Sequence, residues 1–382
     1  MATRTAIWHK LKQCASRTFH EPVIRVLWRN LDALLPLWHL LAPPDTPFPF
    51  GYYHNRGLYD LDIVLAYLQK VSSAQLHLDP IRWERFLWHA THVRGIGHLS
   101  HGLEEINDAS RLLVQTVVMQ NGGITVLPLL RTIEWRASAP IFGLDDALVP
   151  FFTSTLRRAT IDISRPDEAE NILLLRRLRE SSPFLEKISV DTGSQPDTSP
   201  SITQELLSFA RLDQVQVSRT GLEGFQALAT KSNLTYLKVR EVTGPWVGSG
   251  CAISVRDLRE LSVKGDASAL SGLFNLVRFQ ALKSAKIGLK SFSETQIALA
   301  DITTSLAQFY KAVSTSGFQT FELTVYSLPT IRSPGNEPAL RDLLAPLLPI
   351  HDLRLFRLVA MDSIACINDA DIEALARAWP KV

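Results

Sequence analysis

Four histidines come closest to a chemical site in this sequence. His89, His92, His98 and His101 follow an H-x2-H-x5-H-x2-H pattern, and imidazoles at such spacing can bind zinc. No cysteine lies nearby, and the nearest carboxylates come only after the last histidine. Because exposed histidines in loops and at helix ends are commoner than metal ligands, we predict no metal site.

Two other patterns fall short of a catalytic or cofactor site. The glycine-rich segment 244–251 lacks the Gly-Lys-Ser/Thr ending of a phosphate-binding loop, so we interpret it as a surface loop between two repeats. Cys251 has only distant histidines, and no nucleophile elbow of the G-x-S-x-G type occurs. We therefore assign no catalytic residue, no cofactor and no small-molecule substrate, and keep an enzyme as the least favoured hypothesis.

The composition is typical of a globular intracellular protein. Of the 382 residues, 46% are hydrophobic and 20% charged, and a net charge of +2 gives no general attraction to nucleic acid or an anionic membrane. Cys14, Cys251 and Cys366 are scattered and odd in number, which favours a reducing compartment. Residues 1–13 lack the apolar run of a secretory signal, and no stretch has the length of a membrane helix. We expect a cytoplasmic or nuclear protein with no membrane or nucleic-acid partner.

A short apolar pattern recurs nine times in the second two thirds of the chain. Its unit is an apolar residue, two variable residues, an apolar residue, a variable residue and an apolar residue, as in 130–135. The copies begin at Leu130, Leu156, Leu185, Leu212, Leu234, Leu258, Leu282, Phe318 and Leu353. Six of the eight steps between them, from 22 to 29 residues, fall within the range of leucine-rich repeats. The alternation predicts strands with one buried face.

Amphipathic segments between and before these copies predict helices. They span residues 168–180, 222–230, 295–313 and 338–348, preceded by 58–72, 81–90 and 103–120. Weaker strand candidates lie at 71–76 and 93–96, and 191–201 is predicted to be a polar surface loop.

Strands and helices that alternate at this spacing favour a parallel sheet with right-handed crossovers. We predict an α/β fold, a leucine-rich-repeat solenoid with a curved parallel sheet on its concave side and helices on its convex side. An ordinary doubly wound α/β domain is the alternative, but its strands should be apolar on both faces.

The repeat predicts its own binding surface. Because the fourth and sixth positions face the helices, the third, fifth and seventh face the concave side. On three successive strands these positions carry a basic patch with one aromatic ring, formed by Tyr236, Lys238, Arg240, Lys264 and Lys286. Such a patch suits an acidic or phosphorylated segment of a protein target. A merely solvated strand face is the alternative.

Residues 14–37, CASRTFHEPVIRVLWRNLDALLPL, carry a more specific pattern. This segment resembles the second half of a fungal F-box domain, in which a helix with a "cr.f...a...LWr.L..l.pL" pattern leads into irregular leucine-rich repeats. Residues 83–86, 182–186 and 378–380 also resemble that family. The sharp match covers about residues 14–41. The Leu-Pro-x-Glu motif and the Ile-Phe-x-x-Leu-like run that open an F-box are missing from residues 1–13.

The resemblance implies a subunit that recruits substrates to a Skp–cullin–F-box ubiquitin ligase. In such a protein the F-box docks on a Skp-type adaptor, and the repeats hold a target protein. The candidate docking residues are Phe19, Pro22, Leu27, Trp28 and Leu31. The alternative is a repeat scaffold unrelated to ubiquitin, in which 14–41 is an apolar helical pair that only caps the solenoid.

We therefore divide the chain into three parts. Residues 1–42 form a partial F-box-like segment, and residues 43–129 form a helical part with weak repeats. Residues 130–382 form the irregular leucine-rich-repeat solenoid.

Overall fold

The structure is a computed structural model that divides into two compact units, residues 1–186 and 187–382. It describes residues 17–47, 61–73, 79–98, 104–135, 149–163, 167–193, 197–244, 252–290, 299–313, 317–326, 340–360 and 368–382. No helix in these ranges is long and apolar enough to cross a membrane.

The described residues of the first unit form a row of four parallel strands. They are β1 (Asn30–Ala33), β2 (Gly95–His98), β3 (Thr132–Trp135) and β4 (Arg158–Asp162), each paired with the next in order. The helices are α1 (Arg17–Leu27), α2 (Leu35–Trp38), α3 (Leu61–Ser73), α4 (Pro80–Ala90), α5 (Glu104–Gln120) and α6 (Glu168–Ser181), and Val149–Phe151 forms a short 3-10 helix.

The described part of the second unit contains nine strands in two sheets. They are β5 (Lys187–Asp191), β6 (Gln214–Thr220), β7 (Tyr236–Val242), β8 (Ile253–Val255), β9 (Glu260–Gly265), β10 (Val277–Phe279), β11 (Ser284–Leu289), β12 (Thr320–Val325) and β13 (Leu355–Ala360). Seven of them form a parallel sheet in the order β5-β6-β7-β9-β11-β12-β13, which we call the β5–β13 ladder. Strands β8 and β10 form a separate parallel pair.

Six further helices accompany these strands. They are α7 (Pro200–Leu207), α8 (Leu222–Ala229), α9 (Ala267–Leu276), α10 (Leu299–Val313), α11 (Leu340–Leu344) and α12 (Asp369–Ala378), and Ala345–Leu347 forms a 3-10 turn.

All nine strands predicted from the repeat are confirmed, and each begins two residues after the first apolar residue of its copy. That first residue is buried in every copy and anchors the strand entry. The alternation then sorts the two faces, since Leu237 and Val239 are buried while Tyr236 and Lys238 remain partly exposed. The α/β class with a large parallel sheet is confirmed. Strand order never reverses within either unit, as it does in a doubly wound sheet.

The predicted helices are confirmed where the structure describes them, except that the helix predicted at 338–348 is α-helical only over Leu340–Leu344 and continues as the 3-10 turn Ala345–Leu347. α6 shows why, since the Asp167 carboxylate accepts hydrogen bonds from the Ala169 and Glu170 amides and so caps the first turn. The strand candidate at 71–76 is wrong over 71–73, which end α3, because Leu68 and Val71 are buried at helical spacing. The rest of that candidate lies outside the described residues. The candidate at 93–96 overlaps β2.

The expected helical pair at 14–41 contains a strand. β1 separates α1 from α2 and pairs with β2, which places Leu31 opposite Ile96. Glycines on β2 allow this approach, because a Cβ at Gly95 would lie 2.7 Å from the Asn30 side chain.

The polar loop predicted at 191–201 is shorter than expected, since β5 ends at Asp191 and α7 begins at Pro200. Its Thr192 and Thr198 are buried rather than exposed, which corrects the surface interpretation.

Four phenylalanines form the core between the helices and the sheet near the end of the second unit. The Phe309 ring of α10 lies 5.1 Å from Phe274, 5.4 Å from Phe318 and 5.2 Å from Phe321, measured between ring centroids. Aromatic pairs at these distances add to the stabilisation from buried area. Phe309 therefore links two helices to the apolar face of β12.

Replacing this central ring should destabilise the second unit strongly. We expect Phe309→Ala to lower the free energy of unfolding by about 3–5 kcal/mol, because a buried aromatic ring leaves a cavity. Thr304→Ala, on an exposed position of α10, is the matched control and should change it by less than about 0.5 kcal/mol. Denaturant unfolding followed by circular dichroism measures both, and equal effects would contradict this account of the core.

Candidate functional site

The five residues of the predicted basic patch lie on three neighbouring strands. The register of β7, β9 and β11 places Lys238 opposite Ser262, and Ser262 opposite Lys286. Since neighbouring strands lie about 4.8 Å apart, the two lysines start about 10 Å apart with a small serine between them. Tyr236 lies one row away, opposite Glu260. The structure thus brings these residues to the polar face of the ladder.

A β-bulge changes the position of Arg240. Val239 pairs with Val263 but Val242 pairs with Gly265, so β7 has one more residue than β9 at this point. Arg240 bonds Asp191 on β5, with Nη1 2.5 Å from the Asp191 carboxylate. The other oxygen of Asp191 accepts a hydrogen bond from Ser218 Oγ at 2.6 Å. The guanidinium charge of Arg240 is therefore already compensated within the chain.

The Asp191 carboxylate is well suited to this pairing. Burial acts to raise its pKa, but hydrogen bonds from Ser218 and the Gly193 amide, together with Arg240, lower the pKa below its usual value. Asp191 is therefore ionised at neutral pH and holds Arg240 on the β5 side of the bulge.

Two of the three lysines also have interaction partners. The Lys286 ammonium lies 2.6 Å from the Glu322 carboxylate of β12. The Lys264 ammonium lies 4.8 Å from the centre of the Tyr326 ring in a cation–π contact, and no carboxylate of the described residues pairs with it. The patch is therefore less basic than a count of its side chains suggests.

Lys238 differs from these neighbours. Within the described ranges it makes no side-chain hydrogen bond or ion pair. Burial lowers its pKa, and the positive charges of Arg240, Lys264, Lys286 and Lys187 lower it further. Lys238 is therefore a cation surrounded by cations, and an anion placed above it would relieve this repulsion.

Tyr236 forms the aromatic edge of the patch. The Lys187 ammonium lies 5.7 Å from its ring centre, and burial together with the charge of Glu260 raises the pKa of the phenol. Tyr236 therefore keeps its proton at neutral pH and can donate a hydrogen bond. It lines a half-open depression with Lys187, Gln214, Thr235, Arg259 and Glu260.

The candidate docking residues at the N-terminus divide between interior and surface. Trp28 is 5% exposed with its ring 4.3 Å from that of His89, and Leu31 is 8% exposed within β1. Leu27 is partly exposed and Pro22 is exposed, whereas the Phe19 side chain lies outside the described residues. The sequence interpretation missed Val26, which is 75% exposed one turn after Pro22. The spacing of four residues between Pro22 and Val26 could have indicated that both lie on the same face of a helix. The family pattern does not contain this information.

The side chains of two of the four histidines are described, and both contact tryptophan rings. His89 is buried beside Trp28, and the His92 ring lies 4.7 Å from that of Trp88. The side chains of His98 and His101 lie outside the described residues. Within the described ranges no three histidine, cysteine or acidic side chains gather as a metal site would require. Of the glycine-rich segment only Gly244 is described, with a φ of 89° that suits glycine, and Cys251 is not.

The site therefore offers a row of cations beside a protonated phenol on a partly exposed strand face. Such groups can bind an anionic partner by charge-assisted hydrogen bonds. No protein-family model and no curated protein matches this chain. The role of Lys238 is therefore inferred from the contacts and charges around it.

The lowered pKa of Lys238 has a measurable effect on stability. Below its folded-state pKa the charged lysine weakens the folded state, and this cost fades as the pH rises toward the ordinary value of about 10.5. Lys238→Gln should therefore raise the melting temperature at pH 7 and low salt, with a gain that shrinks at high salt or near pH 10. Thermal unfolding scans across pH measure this.

Lys283→Gln is the matched control, because Lys283 is an exposed lysine directly before β11. It should leave the melting temperature unchanged. A loss of stability in Lys238→Gln alone would mean that Lys238 has a stabilising partner.

Proposed function

We propose that this protein is a non-catalytic scaffold of the leucine-rich-repeat type, which binds a protein target on the polar face of the β5–β13 ladder. The observation that carries the proposal is Lys238, a partly exposed cation with cations on several sides and no described acid. A carboxylate or phosphate group on the target would supply the missing countercharge. The target segment is therefore acidic or phosphorylated.

The repeat geometry supports a protein target over a small molecule. Seven parallel strands present side chains at a regular spacing of about 4.8 Å along one continuous sheet. In a leucine-rich-repeat solenoid this face is concave, and such extended surfaces suit protein segments. Small ligands instead favour enclosed cavities, whereas the depression beside Tyr236 is half open to solvent.

In this proposal the chain is the substrate-recognition subunit of a Skp–cullin–F-box ubiquitin ligase and acts in the cytoplasm or nucleus. The support is the resemblance of residues 14–41 to the second half of an F-box. Pro22 and Val26 lie four residues apart on α1 and are both exposed, so they form the apolar surface offered to a Skp-type adaptor.

A specific observation favours a second candidate, a repeat scaffold without any link to ubiquitin. Trp28 and Leu31, two of the residues that carry the F-box resemblance, pack inside the chain. Leu31 also belongs to β1, the first described strand of its row. In this candidate, residues 14–41 serve only to cover the end of the strand row.

Target binding is tested by reversing the charge of Lys238. Tagged wild-type protein, the Tyr236→Ala/Lys238→Glu double variant and Lys283→Glu are used for affinity purification with quantitative mass spectrometry. We expect at least one protein to fall about tenfold or more with the double variant and to be retained by Lys283→Glu, because only the former repels an acidic segment. Phosphatase treatment of the extract separates phosphorylated from acidic targets. Equal recovery with all three proteins would refute the proposed surface.

The ubiquitin-ligase role is tested with a purified Skp-type adaptor. Wild-type chain should co-elute with the adaptor in size-exclusion chromatography, and Val26→Asp should abolish co-elution because it places a charge in an apolar contact. Val26→Leu is the conservative control and should retain binding. If the wild-type chain and adaptor elute separately, the scaffold without ubiquitin is the better account.

A further inference from the structure

An arginine stands directly before each of the four strands of the first unit. These residues, Arg29, Arg94, Arg131 and Arg157, are here called the arginine row. Their backbones are joined in order, from the Arg94 amide to the Arg29 carbonyl (2.8 Å), from Arg131 to Arg94 (2.7 Å) and from Arg157 to Arg131 (2.9 Å). Successive arginines are thus about 4.8 Å apart, and the row spans about 14 Å along the edge where the strands begin.

The last arginine shows how a carboxylate binds in this row. Glu186 takes the next position, with its amide bonded to the Arg157 carbonyl and its carboxylate 3.6 Å from Arg157 Nε. The Arg157 guanidinium is itself fixed, because Nη1 donates to the Ser154 and Leu156 carbonyls of the preceding turn. One edge of the guanidinium is anchored to backbone, and the other edge is presented to an acid.

Arg94 repeats this anchorage without the acid. Its Nη1 donates to the Thr91 carbonyl at 2.7 Å and to the Val93 carbonyl at 3.3 Å. The position that corresponds to Glu186, however, is occupied by Arg131. Burial lowers the pKa of Arg94, and the charges of Arg131, Arg29 and Arg25 lower it further.

No carboxylate of the described ranges pairs with the first three arginines of the row. Glu21 lies close by in sequence, but it pairs with Arg25 at 2.5 Å on α1. Three arginines therefore follow one another over about 10 Å of adjacent backbone, and none of them forms an ion pair with a carboxylate in the described part of the chain.

We propose that the arginine row is a second docking site, which binds an acidic segment of a partner protein. Carboxylates of that segment take the places beside Arg29, Arg94 and Arg131 that Glu186 takes beside Arg157. The planar guanidinium suits carboxylates, and the backbone anchorage of Arg94 means that little side-chain freedom is lost on binding. On an extended segment, alternate side chains lie about 6.8 Å apart on one side, so two or three acidic residues cover the row. This site is independent of the function proposed for the β5–β13 ladder.

The inference is tested with fluorescein-labelled hexaglutamate by fluorescence anisotropy at low salt. Because the polar face of the ladder also attracts acids, all titrations use the full chain in the Lys238→Glu background. Arg131→Glu should weaken binding about tenfold or more, since it supplies an internal acid to Arg94. It should also preserve the fold, because it copies the natural contact of Arg157 with Glu186, and circular dichroism checks this. Arg131→Gln should weaken binding to a smaller extent.

Arg354→Glu is the matched control, because Arg354 is exposed and stands directly before β13 in the same strand position. It makes the same change in charge and should alter the affinity less than about twofold. Equal weakening by Arg354→Glu and Arg131→Glu would overturn the inference, as would the absence of binding to the chain with an intact arginine row.

A twelve-nucleotide thymidine strand provides the second probe. If it binds more tightly than hexaglutamate with the same dependence on Arg131, the row is a nucleic-acid site and the inference is wrong.

Discussion

The parallel pairing of strands that each bury one apolar pair is the constraint on which the rest of this structure depends. In β7 that pair is Leu237 and Val239, and the corresponding residues of β9 and β11 lie beside them in register. Once these side chains are buried, the residues between them must face away from the helices. The backbone donors and acceptors are satisfied by the neighbouring strands, so each added strand extends both faces together. The apolar pattern thus determines where the polar groups lie.

This register creates the electrostatic problem of the polar face. Parallel strands hold corresponding residues about 4.8 Å apart, so like charges in successive repeats become neighbours whether or not this is favourable. The chain compensates some of them across strands, with Asp191 beside Arg240 and Glu322 beside Lys286. Lys238 and the first three residues of the arginine row have no such described acid. A charge that the fold has placed but not compensated is where an anionic partner gains most from binding.

The sequence predicted strands correctly where a pattern of buried and exposed residues is contained within a few consecutive residues. A strand was predicted at each of nine copies because its first apolar residue, such as Leu130 or Leu353, marks the entry within a few residues. It failed for β8 and β10, which have three residues each and are too short to show alternation. It also missed β1, whose pairing depends on glycines of β2 that are 65 residues away in the chain.

The charges of the candidate site were harder to predict than its location. The repeat pattern predicted that one face carries Tyr236, Lys238, Arg240, Lys264 and Lys286. It could not predict which of the four cationic side chains have an acidic partner. Which cations are compensated depends on pairs separated by 49 residues for Arg240 and 36 residues for Lys286. It also depends on the bulge in β7, which adds one residue between two buried valines and leaves no mark in the apolar pattern. Such contacts depend on the register between neighbouring strands, and the sequence of a single repeat does not determine that register.

The two proposed anion sites differ in the selectivity that their side chains allow. Lys238 carries a compact, strongly hydrated charge on a flexible stem, which can meet a carboxylate or a phosphate with little regard to its orientation. Arg94 carries a planar group whose Nη1 is fixed on two backbone carbonyls, so an incoming acid must lie in the plane of the remaining donors. We therefore expect the arginine row to discriminate between anions by shape, and the basic patch to discriminate by charge.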